Sequence, residues 1–242
     1  MNKLTVLVVL LILGLAALFA LTQFPSGSDK VAATNTPPAA IPQPPPDVEA
    51  LKAQAAKGET AAQIRLAKCY QTGQGVKRDA KAAVELYRQA ANSGEAEAQF
   101  ALGELSEAGQ GLPKDIPAAV QWYLKAATNG HTGAQYNLAF MNESGRIGKV
   151  DHKEAARWYQ LAAEGGEALA QYDLGQRYEL GVGVSVDLVE AWKWLSLAAT
   201  QGQSDAQDRL TKVKAKMTGA QLTEAKSRVA SFVPRRPPAT KQ

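Results

Sequence analysis

The chain has 242 residues, 45% of them hydrophobic and 21% charged, with a formal net charge of +4. That is long and apolar enough for one or two domains with a real core, and it excludes an intrinsically disordered chain. A single cysteine, Cys69, excludes a disulfide framework, a multi-cysteine zinc site and a C-x-x-C redox pair. The only histidines, His131 and His152, leave little for a histidine metal centre.

The charge is unevenly spread. Residues 47–208 hold 16 basic and 21 acidic side chains, so the body is mildly acidic. Residues 209–242 hold nine basic side chains against Glu224 alone, so the basic character belongs to the C-terminal end.

At the other end, Lys3 precedes 18 residues, Leu4 to Leu21, in which Thr5 is the only polar side chain. As a helix this run measures about 27 Å, against about 30 Å for a bilayer's hydrocarbon core. Residues 1–24 read as an uncleaved transmembrane anchor. A cleaved signal peptide is the alternative, but the best small-x-small site, Leu18-Phe19-Ala20, has a bulky leucine where a small residue belongs. Lys3 and the amino terminus precede the span, while Asp29 and Lys30 cancel beyond it. This asymmetry favours the N-terminus in the cytoplasm and the bulk of the chain outside. If the segment is cleaved, the product is soluble and periplasmic or secreted. Residues 25–46 contain seven of the chain's 12 prolines and read as an extended polyproline-type stalk.

From residue 58 the sequence repeats with a period of 36. Gly58, Gly94, Gly130, Gly166 and Gly202 share one slot, and Gln63, Gln99, Gln135, Gln171 and Gln207 another. The pattern continues through Leu66, Leu102, Leu138 and Leu174, then Gly73, Gly109, Gly145 and Gly181, then Asp79, Asp115, Asp151 and Asp187. Each unit reads as two helices. In the first, Ala62, Leu66, Cys69 and Tyr70 make one apolar stripe at i, i+4, i+7 and i+8. A glycine ends that helix, and an aspartate caps the second. Asp151 with Glu154 and Asp187 with Glu190 have the spacing of capping boxes. The second stripe runs through Ala83, Leu86 (or Trp122, Trp158 and Trp194) and the paired alanines Ala90-Ala91. The third unit has Ile147 where the others have Gly75, Gly111 and Gly183, which predicts a different inter-helix turn there.

The resulting division is an N-terminal helix at 47–57, units at 58–93, 94–129, 130–165 and 166–201, capping helices at 202–232 and a basic disordered tail at 233–242. Stacked helix pairs bury one another's apolar faces, and about three are needed for stability.

The segments A-E-A-Q-F-A-L-G (Ala96 to Gly103), G-Q-G-L-P-K-D (Gly109 to Asp115) and A-V-Q-W-Y-L-K-A-A-T-N-G (Ala119 to Gly130) resemble the Sel-one-like repeat, a 36-residue relative of the tetratricopeptide repeat. The resemblance covers roughly residues 48–217. It implies an all-α, right-handed α-α superhelical solenoid acting as an adaptor for a partner protein. Some secreted relatives carry a cysteine pair in every repeat; this chain does not.

Similarity to tetratricopeptide repeats also implies that the first helices line a concave face. Its outward positions would be Ile64, Lys68 and Gln71 and their equivalents. Phe100, Tyr136 and Tyr172, in the Ile64 slot, read as packing. The variable positions are the candidate partner-binding residues: Lys68, Gln71, Glu104, Glu107, Phe140, Glu143, Gln176 and Glu179. One phenylalanine among four carboxylates suits a basic or mixed peptide. A second reading uses the C-terminal cations, above all Lys212, Lys214, Lys216, Arg235 and Arg236, to bind an anionic polymer or lipid surface. No stacking aromatic pattern points to nucleic acid. A cell-wall hydrolase is a third reading, with no motif behind it: there is no G-x-S-x-G, P-loop or dinucleotide fingerprint. His131 and His152 read as surface polar residues. No catalytic residue, metal, cofactor or small-molecule substrate is expected.

Overall fold

The computed structural model describes residues 47–235. The predicted membrane span, the proline-rich stalk and Arg236 lie outside the described residues. Among the described residues, no helix is long and apolar enough to cross a membrane.

These residues form eleven helices and no strand: α1 (Val48–Ala56), α2 (Thr60–Thr72), α3 (Ala80–Asn92), α4 (Ala96–Ala108), α5 (Ile116–Thr128), α6 (Thr132–Glu143), α7 (His152–Glu164), α8 (Ala168–Leu180), α9 (Leu188–Thr200), α10 (Ser204–Lys214) and α11 (Gly219–Ala230). The helices α2, α4, α6 and α8 each pair with the helix that follows, and each second helix packs on the next first helix. The result is an all-helical solenoid.

Local chemistry sets the helix ends. Gly73, Gly109 and Gly181 adopt φ of 82°, 72° and 74° and return their N–H groups to the last helical turn. The carboxylates of Asp79, Asp115, Asp151 and Asp187 accept from backbone N–H groups that begin α3, α5, α7 and α9. The two expected capping boxes do not close. Glu154 turns to Arg157 at 2.8 Å, and Glu190 is held by Lys193 at 3.1 Å and Arg228 at 2.5 Å. The cap N–H groups are themselves already donated, that of Asp151 to the Asn142 carbonyl at 3.1 Å and that of Asp187 to the Tyr178 carbonyl at 2.9 Å. A complete box instead opens α11, between Thr218 and Gln221. In the third unit α6 stops at Glu143 and is capped by Ser144 in the αR region, one residue short of the other first helices.

The recurring glutamine has a structural role that periodicity alone does not reveal. Gln63, Gln99, Gln135 and Gln171 are buried, and each donates from Nε2 to the carbonyl eight residues earlier, at 3.0–3.4 Å. Each therefore adds a second hydrogen bond to a last-turn carbonyl of the preceding helix that already accepts the N–H of Gly58, Gly94, Gly130 or Gly166 at 3.0–3.1 Å. Gln207 is exposed and has no such bond, which marks the end of the regular array.

Tyr87, Tyr123 and Tyr159 are fully buried against the alanine slots, and Trp158 packs against two of the core clusters. At the C-terminal end α11 packs on α9 rather than forming a hairpin with α10. It brings Phe232 edge-on to Trp194 at 5.5 Å and leaves Trp194 3% exposed. Beyond it, Pro234 covers Gly166, and Arg235 donates its N–H to the Glu164 carbonyl at 2.7 Å while its guanidinium pairs with the Glu164 carboxylate at 2.8 Å. Pro234 and Arg235 are thus seated on the solenoid while Val233 stays exposed, which corrects at those two residues the expectation of a disordered tail beginning at 233. Phe232 and Arg235 find partners that only the folded array supplies.

Candidate partner-binding face

The first helices carry the variable positions, and the structure sorts them into three groups. The Ile64 slot is not outward. Ile64 is 7% exposed, and its equivalents pack: Phe100 lies 5.8 Å from Tyr123 and stacks on His131 at 4.3 Å, while Tyr136 meets Tyr159 edge-on at 5.6 Å. His131 is correspondingly not a surface residue. It is half-buried, its Nδ1 caps α6 by accepting the Ala134 N–H at 3.2 Å, and burial pushes its pKa down. His152 is exposed.

The second group contains most of the expected carboxylates, and these are already engaged. Gln71 accepts from the Tyr87 hydroxyl at 3.1 Å, Glu107 from Tyr123 at 2.9 Å and Glu143 from Tyr159 at 2.9 Å. Each glutamate in this slot also clamps a cation from farther along the chain. Glu107 pairs with Arg146 at 2.6 Å, Glu143 with Arg177 at 2.5 Å, and Glu179 with Arg209 at 2.7 Å and Lys216 at 2.8 Å. Burial opposes ionisation of Glu179, yet the hydrogen bonds from Lys216 and Arg209 hold its carboxyl below the ordinary range. The expectation of four free carboxylates facing a basic peptide is therefore corrected. Glu107, Glu143 and Glu179 staple one unit to the next, and reversing their charge would break the solenoid's own contacts.

Sequence reasoning missed the cations of these staples, Arg146, Arg177 and Arg209. One signal was available. Arg177 stands in a slot otherwise filled by Cys69, Leu105, Met141 and Val213, and a charge in an apolar column demands a buried partner.

Beside Arg177, Asp173 is half-buried, and burial raises its carboxyl despite Tyr136 and Arg177 nearby. A carboxyl raised on folding binds its proton more tightly in the native state. Stability therefore falls as pH rises through the ordinary aspartate pKa toward the folded one. Urea denaturation between about pH 3 and about pH 7 should show this loss in the wild type and a smaller one in Asp173→Asn. Equal pH slopes would refute it.

The third group is open. Gln71, Glu104, Glu107 and Phe140 line one cleft of about 680 Å³, joined by Lys114, Asn137 and Arg146. Phe140 is 47% exposed. Glu104 is paired with no cation among the described residues, and burial followed by the nearby Glu107 raises its carboxyl. Lys68, Glu143, Gln176 and Glu179 lie outside this cleft: Lys68 is paired with Glu97, and Gln176 is half-buried.

Among the described residues the C-terminal cations do not form a free basic patch. Lys216 and Arg235 are taken by Glu179 and Glu164, while Lys212 and Lys214 are exposed. Among the described residues no group of three or more His, Cys, Asp or Glu side chains is placed to hold a metal, and Cys69 is a buried free thiol.

Comparisons agree with this architecture. The Sel1 repeat family model matches residues 60–95, 96–131, 132–167 and 168–203, each match beginning at the first residue of a first helix. A crystal structure of a Sel1 repeat protein from Oxalobacter formigenes superposes with a TM-score of 0.67 at 34% identity, over 69% of this chain and 48% of that one. The chain thus spans about half the length of that relative. The protective antigen c5321 of uropathogenic Escherichia coli, which has an SLR fold, is 25% identical with a TM-score of 0.39, over 76% of this chain and 55% of that one. Helicobacter pylori cysteine rich protein B is 25% identical with a TM-score of 0.44, over 56% of this chain and 97% of that one. No curated protein sequence matches. Sel1 repeats generally mediate protein–protein interaction. Four contiguous units, a shared capping chemistry and a structural relative at 34% identity lead to one conclusion: the chain belongs to the Sel1 repeat family.

Proposed function

We propose that this protein is a membrane-tethered, periplasm-facing adaptor that binds a partner protein through the first-helix face of its solenoid and performs no catalysis itself. The observation that carries the binding site is the cleft between Glu104 and Phe140, where an exposed aromatic ring and an unpaired carboxylate share one concavity. Exposed aromatic side chains in concave surfaces are the usual anchors of protein recognition. The apolar run at residues 4–21 and the proline-rich stalk support the tether.

The test is affinity capture from envelope extract with the full chain, at low and high salt, beside the cleft-blocking variant Gln71→Arg/Asn137→Arg. The expected result is a discrete protein retained at high salt by the wild type and lost from the variant. Retention of only anionic material, equally by both proteins and lost as salt rises, would overturn the reading. Protease treatment of spheroplasts tests the location. The repeat domain should be digested without lysis, and its protection would refute a periplasmic placement.

A further inference from the structure

The slot that begins at Lys68 recurs at Glu104, Phe140 and Gln176, so consecutive units present different chemistry at one position. The structure removes the two ends from consideration, since Lys68 is held by Glu97 and Gln176 is half-buried. The two central positions face the same cleft. Glu107 beside them is occupied by Tyr123 and Arg146, which leaves Glu104 as the cleft's unpaired carboxylate.

We infer that the cleft selects an extended polypeptide segment in which a lysine or arginine stands three positions from an aliphatic or aromatic residue, the cation meeting Glu104 and the apolar side chain covering Phe140. The inference rests on the partner-binding reading above and names the partner's local chemistry. First helices of consecutive units meet through side chains, as Lys68 meets Glu97 and Phe100 stacks on His131; at a step of about 10 Å and about 3.3 Å per extended residue, three residues cover it. A carboxylate facing no cation gains a charge-assisted hydrogen bond from a lysine or arginine. Covering Phe140 removes apolar surface from water. Lys114 and Arg146 also line the cleft, and they disfavour a segment with several adjacent cations. The selected segment therefore has one cation and one apolar anchor, not a polybasic run.

The experiment is selection from a random dodecapeptide display library on the full chain in detergent micelles. Wild type, Glu104→Lys, Phe140→Ser and Gln71→Arg/Asn137→Arg are run side by side. Glu104 and Phe140 are exposed, so unchanged thermal melting serves as the check on folding. The wild type should enrich peptides with the basic-x-x-apolar pair. Glu104→Lys should weaken a selected peptide by about tenfold and re-select acidic residues at the basic position. Phe140→Ser should erase the apolar preference and leave the basic one.

Peptides that lack the pair yet are lost from Gln71→Arg/Asn137→Arg would overturn this inference while leaving the binding face intact. Peptides indifferent to all three variants, or no enrichment at all, would bring down both. Binding that strengthens about tenfold when residues 236–242 are removed would assign the cleft to the chain's own terminus and overturn the partner segment. Concentration-dependent dimerisation abolished by Phe140→Ser would assign it to a second copy, with the same consequence.

Discussion

Arg177→Ala is expected to destabilise the solenoid by about 3 kcal/mol and Arg177→Met by about 1 kcal/mol less, because methionine refills the slot yet leaves the same carboxylates uncompensated. The Arg177 side chain is 5% exposed, its guanidinium lies 2.5 Å from Glu143 and 4.5 Å from the Tyr159 ring centre, and its Nε has no partner. Removing one member of a buried pair leaves the other charge uncompensated, and alanine adds a cavity. Here the uncompensated groups are Glu143, which retains partial solvent contact, and Asp173 one turn away, so the cost belongs at the lower end of the usual range for buried pairs. Methionine stands at the equivalent position of the third unit, where Met141 is 1% exposed, so the slot accepts it sterically. Urea denaturation of both variants is the check. Equal losses in the two would show that the guanidinium's charge, not the filling of the slot, holds the junction of the third and fourth units.

Gly183→Ala should cost about 3 kcal/mol or more, while Gly58→Ala should cost only about 1 kcal/mol. Both glycines have positive φ, 75° and 86°, so both substitutions impose left-handed strain on alanine. They differ in what the new Cβ meets. At Gly183 it falls 2.0 Å from the carbonyl oxygen of His152, the first residue of α7 in the preceding unit. At Gly58 nothing lies within 4 Å. Gly111 makes the same approach to the Ala80 carbonyl at 2.3 Å, so at Gly111 and Gly183 alike one unit's loop rests on the helix of the unit before. Thermal melting of the two variants separates strain from contact: equal shifts would remove the inter-unit explanation. The third unit has Ile147 in this slot, and its turn takes another path, with Gly148 at φ 141°.

The binding face was legible only in part. Non-repeating residues within a repeating frame identified Glu104 and Phe140, because selection for stacking acts on every unit alike and leaves the exceptions to other causes. The same reasoning over-counted Glu107, Glu143 and Glu179. A carboxylate on a helix face looks the same in sequence whether it meets solvent or an arginine a unit away. Arg146 lies in the irregular turn of the third unit, where periodicity offers no guide. Lys216 and Arg235 were over-counted for the same reason, since Glu179 and Glu164 reach them only after the chain has folded back.

By itself the sequence determined the all-helical repeat, its period, its helix caps and its alanine core, because these depend on residues within a few turns of one another and recur four times. The tertiary structure decided which polar side chains are free. Charge pairing between units, the docking of Phe232 on Trp194 and the approach of Gly183 to His152 all join residues roughly thirty or more positions apart. No local pattern encodes such contacts, since what satisfies each group is a neighbour that stacking alone brings within reach.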